Sequence, residues 1–161
     1  MKKSIISLFM IVSVIISTIL PSNATENNIT NIDESTTITY YDDGSYIVRT
    51  IISNPSNNRT SSFTKTGNVV VSDYNSDDEL LWQYILYAEF EVTSGVSAIC
   101  TSSTYTYDIY ANGWSFSNGQ ATKSGNVAYG VGTFKKKILL ITTQTVEIDL
   151  DIICDVYGNL S

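Results

Sequence analysis

The stretch "LLWQYILYAEFEV", residues 80–92, decides the fold class of this chain. Apolar and polar side chains alternate along it with a period of two. Such alternation is typical of a half-buried β-strand, because successive side chains of a strand point to opposite faces. The apolar face of this predicted strand consists of Trp82, Tyr84, Leu86, Ala88, Phe90 and Val92.

The same alternation extends through most of the chain. Near its end, Ile148, Leu150 and Ile152 alternate with Glu147, Asp149 and Asp151. Asn112-Gly113 and Asn118-Gly119 are typical turn dipeptides, and Thr, Tyr, Val and Ile dominate, as is usual in strands. Beyond residue 24 no helical period is found. These patterns predict an all-β protein, an antiparallel β-sandwich that is loosely immunoglobulin-like, with about seven to nine strands.

The chain divides into four predicted parts. Residues 1–24 have a basic start, an apolar run and a small-residue ending, which together are typical of a cleaved secretory signal peptide. An uncleaved membrane anchor is the alternative. Residues 25–35 form a polar, flexible leader. Residues 36–62 hold a hairpin around Asp43-Gly44 and a linker with Pro55, and residues 63–161 form the sandwich. The predicted location is outside the cell, either free or loosely associated with the cell wall.

Composition excludes several classes of function. The 161-residue chain contains no histidine and carries a net charge of −7. Without histidine, Ser-His-Asp and Cys-His catalysis and histidine-based zinc sites are excluded. A net negative chain without a basic stripe is a poor ligand for nucleic acid or anionic lipid. We therefore expect no enzyme activity, no cofactor, no metal, no nucleic-acid partner, and no membrane contact after the signal peptide is removed.

Two cysteines, Cys100 and Cys154, are the only ones in the chain. An even number of cysteines in an exported protein predicts one disulfide. Two buried free thiols are the alternative reading.

A short motif occurs twice, as "TKTGN" at residues 64–68 and "TKSGN" at residues 122–126. The motif is typical of a hairpin turn, since Gly adopts a positive φ and Asn tolerates one. Two hypotheses fit: an internal repeat of two similar hairpins, or the independent use of one favourable turn.

Aromatic side chains are the main candidates for a binding site. Tyr105, Tyr107, Tyr110 and Trp114 lie close together in the sequence, and exposed aromatic rings bind sugars and proteins well. The site predicted from the sequence is Tyr107, Tyr110 and Trp114. Packing between strands is the alternative role of these rings.

Acidic residues are weaker candidates. Glu89 and Glu91 share one strand face at a spacing that a carboxylate hydrolase could use. The acidic corner at residues 73–79 could hold calcium, although its spacing does not match a calcium-binding loop. In both places ordinary solvated acidic side chains are the simpler interpretation.

In the order of its motifs, "YYDDGSY", "LLWQYILYAEFEV", "SGVSAIC", "GWSF" and "CDVYGNLS", the chain resembles small secreted β-rich proteins of unknown function from Gram-positive bacteria of the Firmicutes. The resemblance implies export and a sandwich held by a Cys100–Cys154 disulfide. It implies no catalytic or binding residue.

These observations together predict a secreted, non-enzymatic binding module. Its ligand would be a glycan, a cell-wall polymer or a surface protein. A secreted antagonist similar to a bacteriocin is one alternative, and a carboxylate-dependent hydrolase is the other.

Overall fold

The computed structural model describes residues 33–55 and 61–161, and the predicted signal peptide lies outside them. This part of the chain contains eight strands and no helix. The strands are β1 (Asp33–Tyr40), β2 (Tyr46–Ser53), β3 (Ser62–Tyr74), β4 (Leu80–Thr93), β5 (Ser97–Ile109), β6 (Trp114–Ser124), β7 (Val127–Ile138) and β8 (Ile141–Ile153). The prediction of an all-β fold is confirmed.

The strands form two antiparallel sheets. Sheet A has the order β1-β2-β3-β4-β5, and sheet B has the order β6-β7-β8. Within each sheet, strands that are consecutive in the sequence pair with each other, so each sheet is a simple meander, and the chain passes from sheet A to sheet B between β5 and β6. An immunoglobulin domain instead uses Greek-key connections between its sheets. The expected immunoglobulin-like arrangement is therefore wrong at the level of strand order, because within each sheet the strands pair in the order in which they occur in the sequence.

The first hairpin is continuous with sheet A. Strand β2 pairs with β3 from Tyr46–Tyr74 to Ser53–Gly67, so β1 and β2 form one edge of the five-stranded sheet. Strand β1 begins at Asp33, two residues before the predicted end of the leader.

The core lies between the inner faces of the two sheets. Strand β4 contributes the alternating face anticipated from its sequence, and Trp82 at its start stacks on Phe134 of β7 with ring centroids 4.0 Å apart. Glycines in β7 let the sheets approach closely. A Cβ atom at Gly132 would lie 2.9 Å from the Phe116 ring and 3.0 Å from the Tyr84 ring. Tyr84 Oη donates a 3.1 Å hydrogen bond to the carbonyl oxygen of Val131.

The two copies of the repeated motif have different structures. "TKSGN" ends β6 and turns at Gly125, whose φ is +57°. "TKTGN" lies inside β3, where Lys65 and Gly67 face inward and the Lys65 Nζ donates to the Asn54 carbonyl oxygen. The prediction of a turn at residues 64–68 is wrong, because pairing with β2 and β4 on both sides keeps this segment extended.

The predicted disulfide is absent from this structure, in which Cys100 and Cys154 are buried free thiols. Each thiol donates to a backbone carbonyl oxygen, Cys100 to Ser102 at 3.3 Å and Cys154 to Asp155 at 3.5 Å. Burial raises the pKa of both thiols, that of Cys154 to about 11. Both cysteines are therefore protonated and poorly nucleophilic at neutral pH.

Candidate functional site

Four turns meet at one end of the sandwich, which we name the loop end. They are the β1–β2, β3–β4, β5–β6 and β7–β8 turns. Tyr46 Oη donates a 3.0 Å hydrogen bond to Asp78 and so connects the first two turns. The Lys137 amide donates to the Gly113 carbonyl oxygen at 2.8 Å and connects the other two. The Tyr110 amide donates to the Leu81 carbonyl oxygen at 3.0 Å and joins the two pairs of turns.

Side-chain chemistry shapes the acidic turns. In the β1–β2 turn, Asp43 Oδ1 accepts hydrogen bonds from the amide and the hydroxyl of Ser45, and these bonds lower the pKa of Asp43. In the β3–β4 turn, Asn75 Oδ1 accepts the amides of Asp77 and Glu79. These are Asx-type turns, in which the polar side chain replaces a backbone acceptor. Within the described residues, no three His, Cys, Asp or Glu side chains are arranged to hold a metal ion.

A polar cavity of about 220 Å³ lies between the sheets at the loop end. Asp73, Asp43 and Lys136 contribute its charged side chains, and Gln144 lies beside them. Asp73 is 5% exposed, and this burial raises the pKa of its carboxyl group to about 6. The Trp82 indole and the Lys136 ammonium lower that pKa, while the Asp43 carboxylate raises it. Trp82 Nε1 lies near the Asp73 carboxyl group but forms no well-aligned hydrogen bond.

The raised pKa of Asp73 predicts how stability changes with pH. The folded state binds the Asp73 proton more tightly than the unfolded chain, whose pKa is near 3.8, so ionisation of Asp73 destabilises the fold. Protonated Asp73 contributes up to about 3 kcal/mol to the free energy of unfolding. This contribution is fully present below pH 4 and is lost as the pH rises through about 6. Urea unfolding at several pH values should show this loss in the wild type and not in Asp73→Asn. Parallel pH profiles for the two proteins would contradict the assignment.

Three tyrosines form a ladder across the outer face of sheet A at the loop end. Tyr40, Tyr46 and Tyr74 are cross-strand partners on β1, β2 and β3. The ring centroids of Tyr40 and Tyr46 are 5.4 Å apart, and those of Tyr46 and Tyr74 are 4.9 Å apart with nearly parallel planes. Tyr40 is 70% exposed at the open end of the row. Tyr40 is the most exposed member of this tyrosine ladder, and Tyr46 and Tyr74 are partly buried.

The residues predicted as a binding site lie at the same end but do not form one surface. Trp114 is buried, and its ring packs against Trp82 and under the Lys136 ammonium. The Tyr107 ring stacks on Phe116 at 3.9 Å, with part of it still exposed. Tyr110 is exposed, and Tyr105 packs against Tyr84 inside the sandwich. Of these four aromatic residues, Tyr107 and Tyr110 are exposed, Tyr105 is partly buried and Trp114 is buried.

The sequence contains a signal for part of the ladder. Tyr40 and Tyr46 are equally distant from Asp43, and the five-residue connection at residues 41–45 places them opposite each other. A two-residue Asp43-Gly44 turn would instead pair Tyr41 with Tyr46. The third member, Tyr74, joins only through the β2–β3 pairing, across the linker at residues 54–61. The alternation of residues within each strand does not determine how two strands pair across such a linker.

The candidate carboxylates lie elsewhere on the molecule. Glu89 and Glu91 are exposed on the outer face of β4. Glu147, Asp149 and Asp151 are likewise exposed on β8, where Asp151 Oδ1 lies 3.9 Å from the Arg49 guanidinium.

The geometry places this protein in the class of two-sheet antiparallel β-sandwiches, and its loop end carries polar and aromatic side chains. No family model, curated protein or solved structure matches the chain. Across the part of the chain that the structure describes, we find no helix with the length and apolar character needed to span a bilayer.

Proposed function

We propose that this protein is a secreted, non-enzymatic binding module that engages an extracellular glycan, such as a cell-wall polymer, through the tyrosine ladder. The proposal rests on Tyr40, which is 70% exposed at the end of the ladder and is tilted by 43° against the Tyr46 ring. A rigid aromatic side chain gives a large contact area at a low cost in conformational entropy. Packing within the fold does not account for the exposure of the Tyr40 side chain.

The chemistry of the ladder suits a sugar chain. Phenol rings offer an apolar surface to the carbon–hydrogen faces of sugars, and phenol hydroxyls exchange hydrogen bonds with sugar hydroxyls. The Tyr46 hydroxyl is already oriented by Asp78, and this bond raises the pKa of Tyr46.

The test is a binding isotherm with purified Gram-positive cell wall and with insoluble polysaccharides, using residues 25–161, which contain every strand of both sheets. Tyr40→Ala should weaken binding by about fivefold or more, as expected for an aromatic anchor. Tyr157→Ala is the matched control, since Tyr157 is 63% exposed at the opposite end, beside the β4–β5 turn. Equal binding by wild type and Tyr40→Ala would exclude the ladder. Binding to none of these materials would favour a surface-protein partner.

We also propose that, after export, an extracellular oxidant such as dioxygen or an oxidised thiol takes two electrons and two protons from the Cys100 and Cys154 thiols, which then form a disulfide. Their backbone amides donate to the carbonyl oxygens of the consecutive residues Gly125 and Asn126. Both cysteines thus lie against the same β6–β7 turn, and the Cys100 thiol is among the groups that act on the pKa of Cys154. A bridge there would join the end of sheet B to sheet A.

A further inference from the structure

The turn between β7 and β8 exposes four consecutive apolar side chains. They are Ile138, Leu139, Leu140 and Ile141, exposed by 59%, 93%, 95% and 70%. We name residues 138–141 the hairpin tip. Single exposed apolar residues are common on protein surfaces, but a contiguous run at the extremity of a hairpin indicates an interaction site.

The backbone of the hairpin tip is unfavourable for the residues it contains. Ile138 pairs with Ile141, which leaves Leu139 and Leu140 as a two-residue turn. Leu139 has a φ of +57°, and the other described non-glycine residues with positive φ are Asp78 and Asn118, types that tolerate it. Two-residue hairpin turns favour Asn-Gly or Asp-Gly. The leucines therefore oppose folding through both strain and exposure, and this points to a role outside the fold.

The charge around the hairpin tip differs from that of the whole chain. Lys135, Lys136 and Lys137 precede it, and no acidic residue occurs between Phe134 and Val146 in a chain whose net charge is −7. Lys136 faces inward over the Trp114 ring. By strand alternation, Lys135 and Lys137 point to the opposite face of sheet B, and Lys137 is exposed.

We propose that the hairpin tip inserts shallowly into a lipid bilayer that carries anionic headgroups. Leucine is under-represented among the energetically dominant residues of protein interfaces, which are enriched in Trp, Tyr and Arg. Leu and Ile are instead the side chains that partition most readily into hydrocarbon. Lysines beside such residues extend their ammonium groups toward the headgroups.

Insertion must be shallow, and it requires both the exposed apolar side chains of the hairpin tip and the lysines beside them. Exposed backbone groups of a turn are not tolerated deep in hydrocarbon, so the tip would reach only the boundary between headgroups and acyl chains. The β3–β4 turn, at the same end, carries Asp77, Asp78 and Glu79, which an anionic surface repels. The net charge of the chain argues against membrane contact for the same reason. Lysines alone would therefore not hold the protein there, and the leucines are required.

Vesicle sedimentation tests this inference on residues 25–161. The vesicles are phosphatidylcholine alone, and phosphatidylcholine mixed with phosphatidylglycerol. The key variant is the double substitution Leu139→Asn/Leu140→Gly, which installs the favoured turn, so its thermal midpoint should equal or exceed that of the wild type. Its binding to the mixed vesicles should fall by about tenfold or more. Val96→Asn is the matched control, since Val96 is an aliphatic residue 72% exposed in the β4–β5 turn, and it should bind as the wild type does.

Each outcome is decisive. Absence of wild-type binding to both vesicles, or unchanged binding by the double variant, would overturn insertion of the hairpin tip. Equal binding to both vesicle types would show that anionic headgroups are not required. Wild-type binding of the double variant Lys135→Gln/Lys137→Gln to the mixed vesicles would show the same. The double variant Leu139→Asn/Leu140→Gly should bind purified cell wall as the wild type does, because the hairpin tip contributes no residue to the tyrosine ladder. Failure of this inference is therefore distinguishable from failure of the glycan proposal.

Discussion

Replacing Trp82 with Ala is expected to lower the free energy of unfolding by about 3–5 kcal/mol. Trp82 is fully buried and stacks on Phe134, with its centroid 6.2 Å from that of Trp114. Removal of the indole leaves a cavity between the two sheets and takes apolar contacts from both. Natural domains are stable by only about 5–15 kcal/mol, so the variant should unfold at a much lower temperature or denaturant concentration.

The control is Leu140→Ala, which also removes a large apolar side chain. Leu140 is 95% exposed, and surface substitutions usually change stability by less than about 0.5 kcal/mol. Chemical denaturation followed by circular dichroism measures both variants. Equal midpoints for Trp82→Ala and the wild type would mean that β4 and β7 do not pack as described.

If the proposed disulfide forms, its reduction is expected to have an effect of similar size. If Cys100 and Cys154 are joined after export, the chain-entropy estimate for a loop of this length is about 4 kcal/mol. For a domain of this size, that corresponds to a drop in melting temperature of about 10–20 °C. Thermal unfolding with and without a reductant gives the difference.

The double variant Cys100→Ala/Cys154→Ala is the control, and reductant should leave its melting temperature unchanged. Intact mass after alkylation under denaturing conditions counts the free thiols. Two free thiols in the exported wild type would overturn the proposed bridge and leave the state seen in the structure as the final one.

The faces of the strands could be predicted from the sequence because alternation is local. The inward residues of β4 are those that its pattern indicated, and the final strand behaves in the same way. At residues 64–68 the sequence predicts a turn, but pairing with β2 and β4 on both sides keeps this segment extended. Turn propensity is a weak preference, and tertiary hydrogen bonding decides the outcome.

The candidate sites were less accessible to sequence analysis. Composition could suggest aromatic binding but could not separate Trp114, which is buried, from Tyr40, which is exposed, because the difference depends on how the sheets pack. The hairpin tip could not be predicted from the sequence either. An apolar run such as residues 138–141 is normally core, and only the structure places it at an exposed turn.

Hydrogen–deuterium exchange in the presence of purified Gram-positive cell wall tests the central claim of a binding module most directly. The glycan proposal predicts slower exchange in peptides that contain Tyr40, Tyr46 and Tyr74, with no change around Val96 and Tyr157 at the opposite end. Protection confined to that opposite end, or no protection at saturating cell wall, would contradict it.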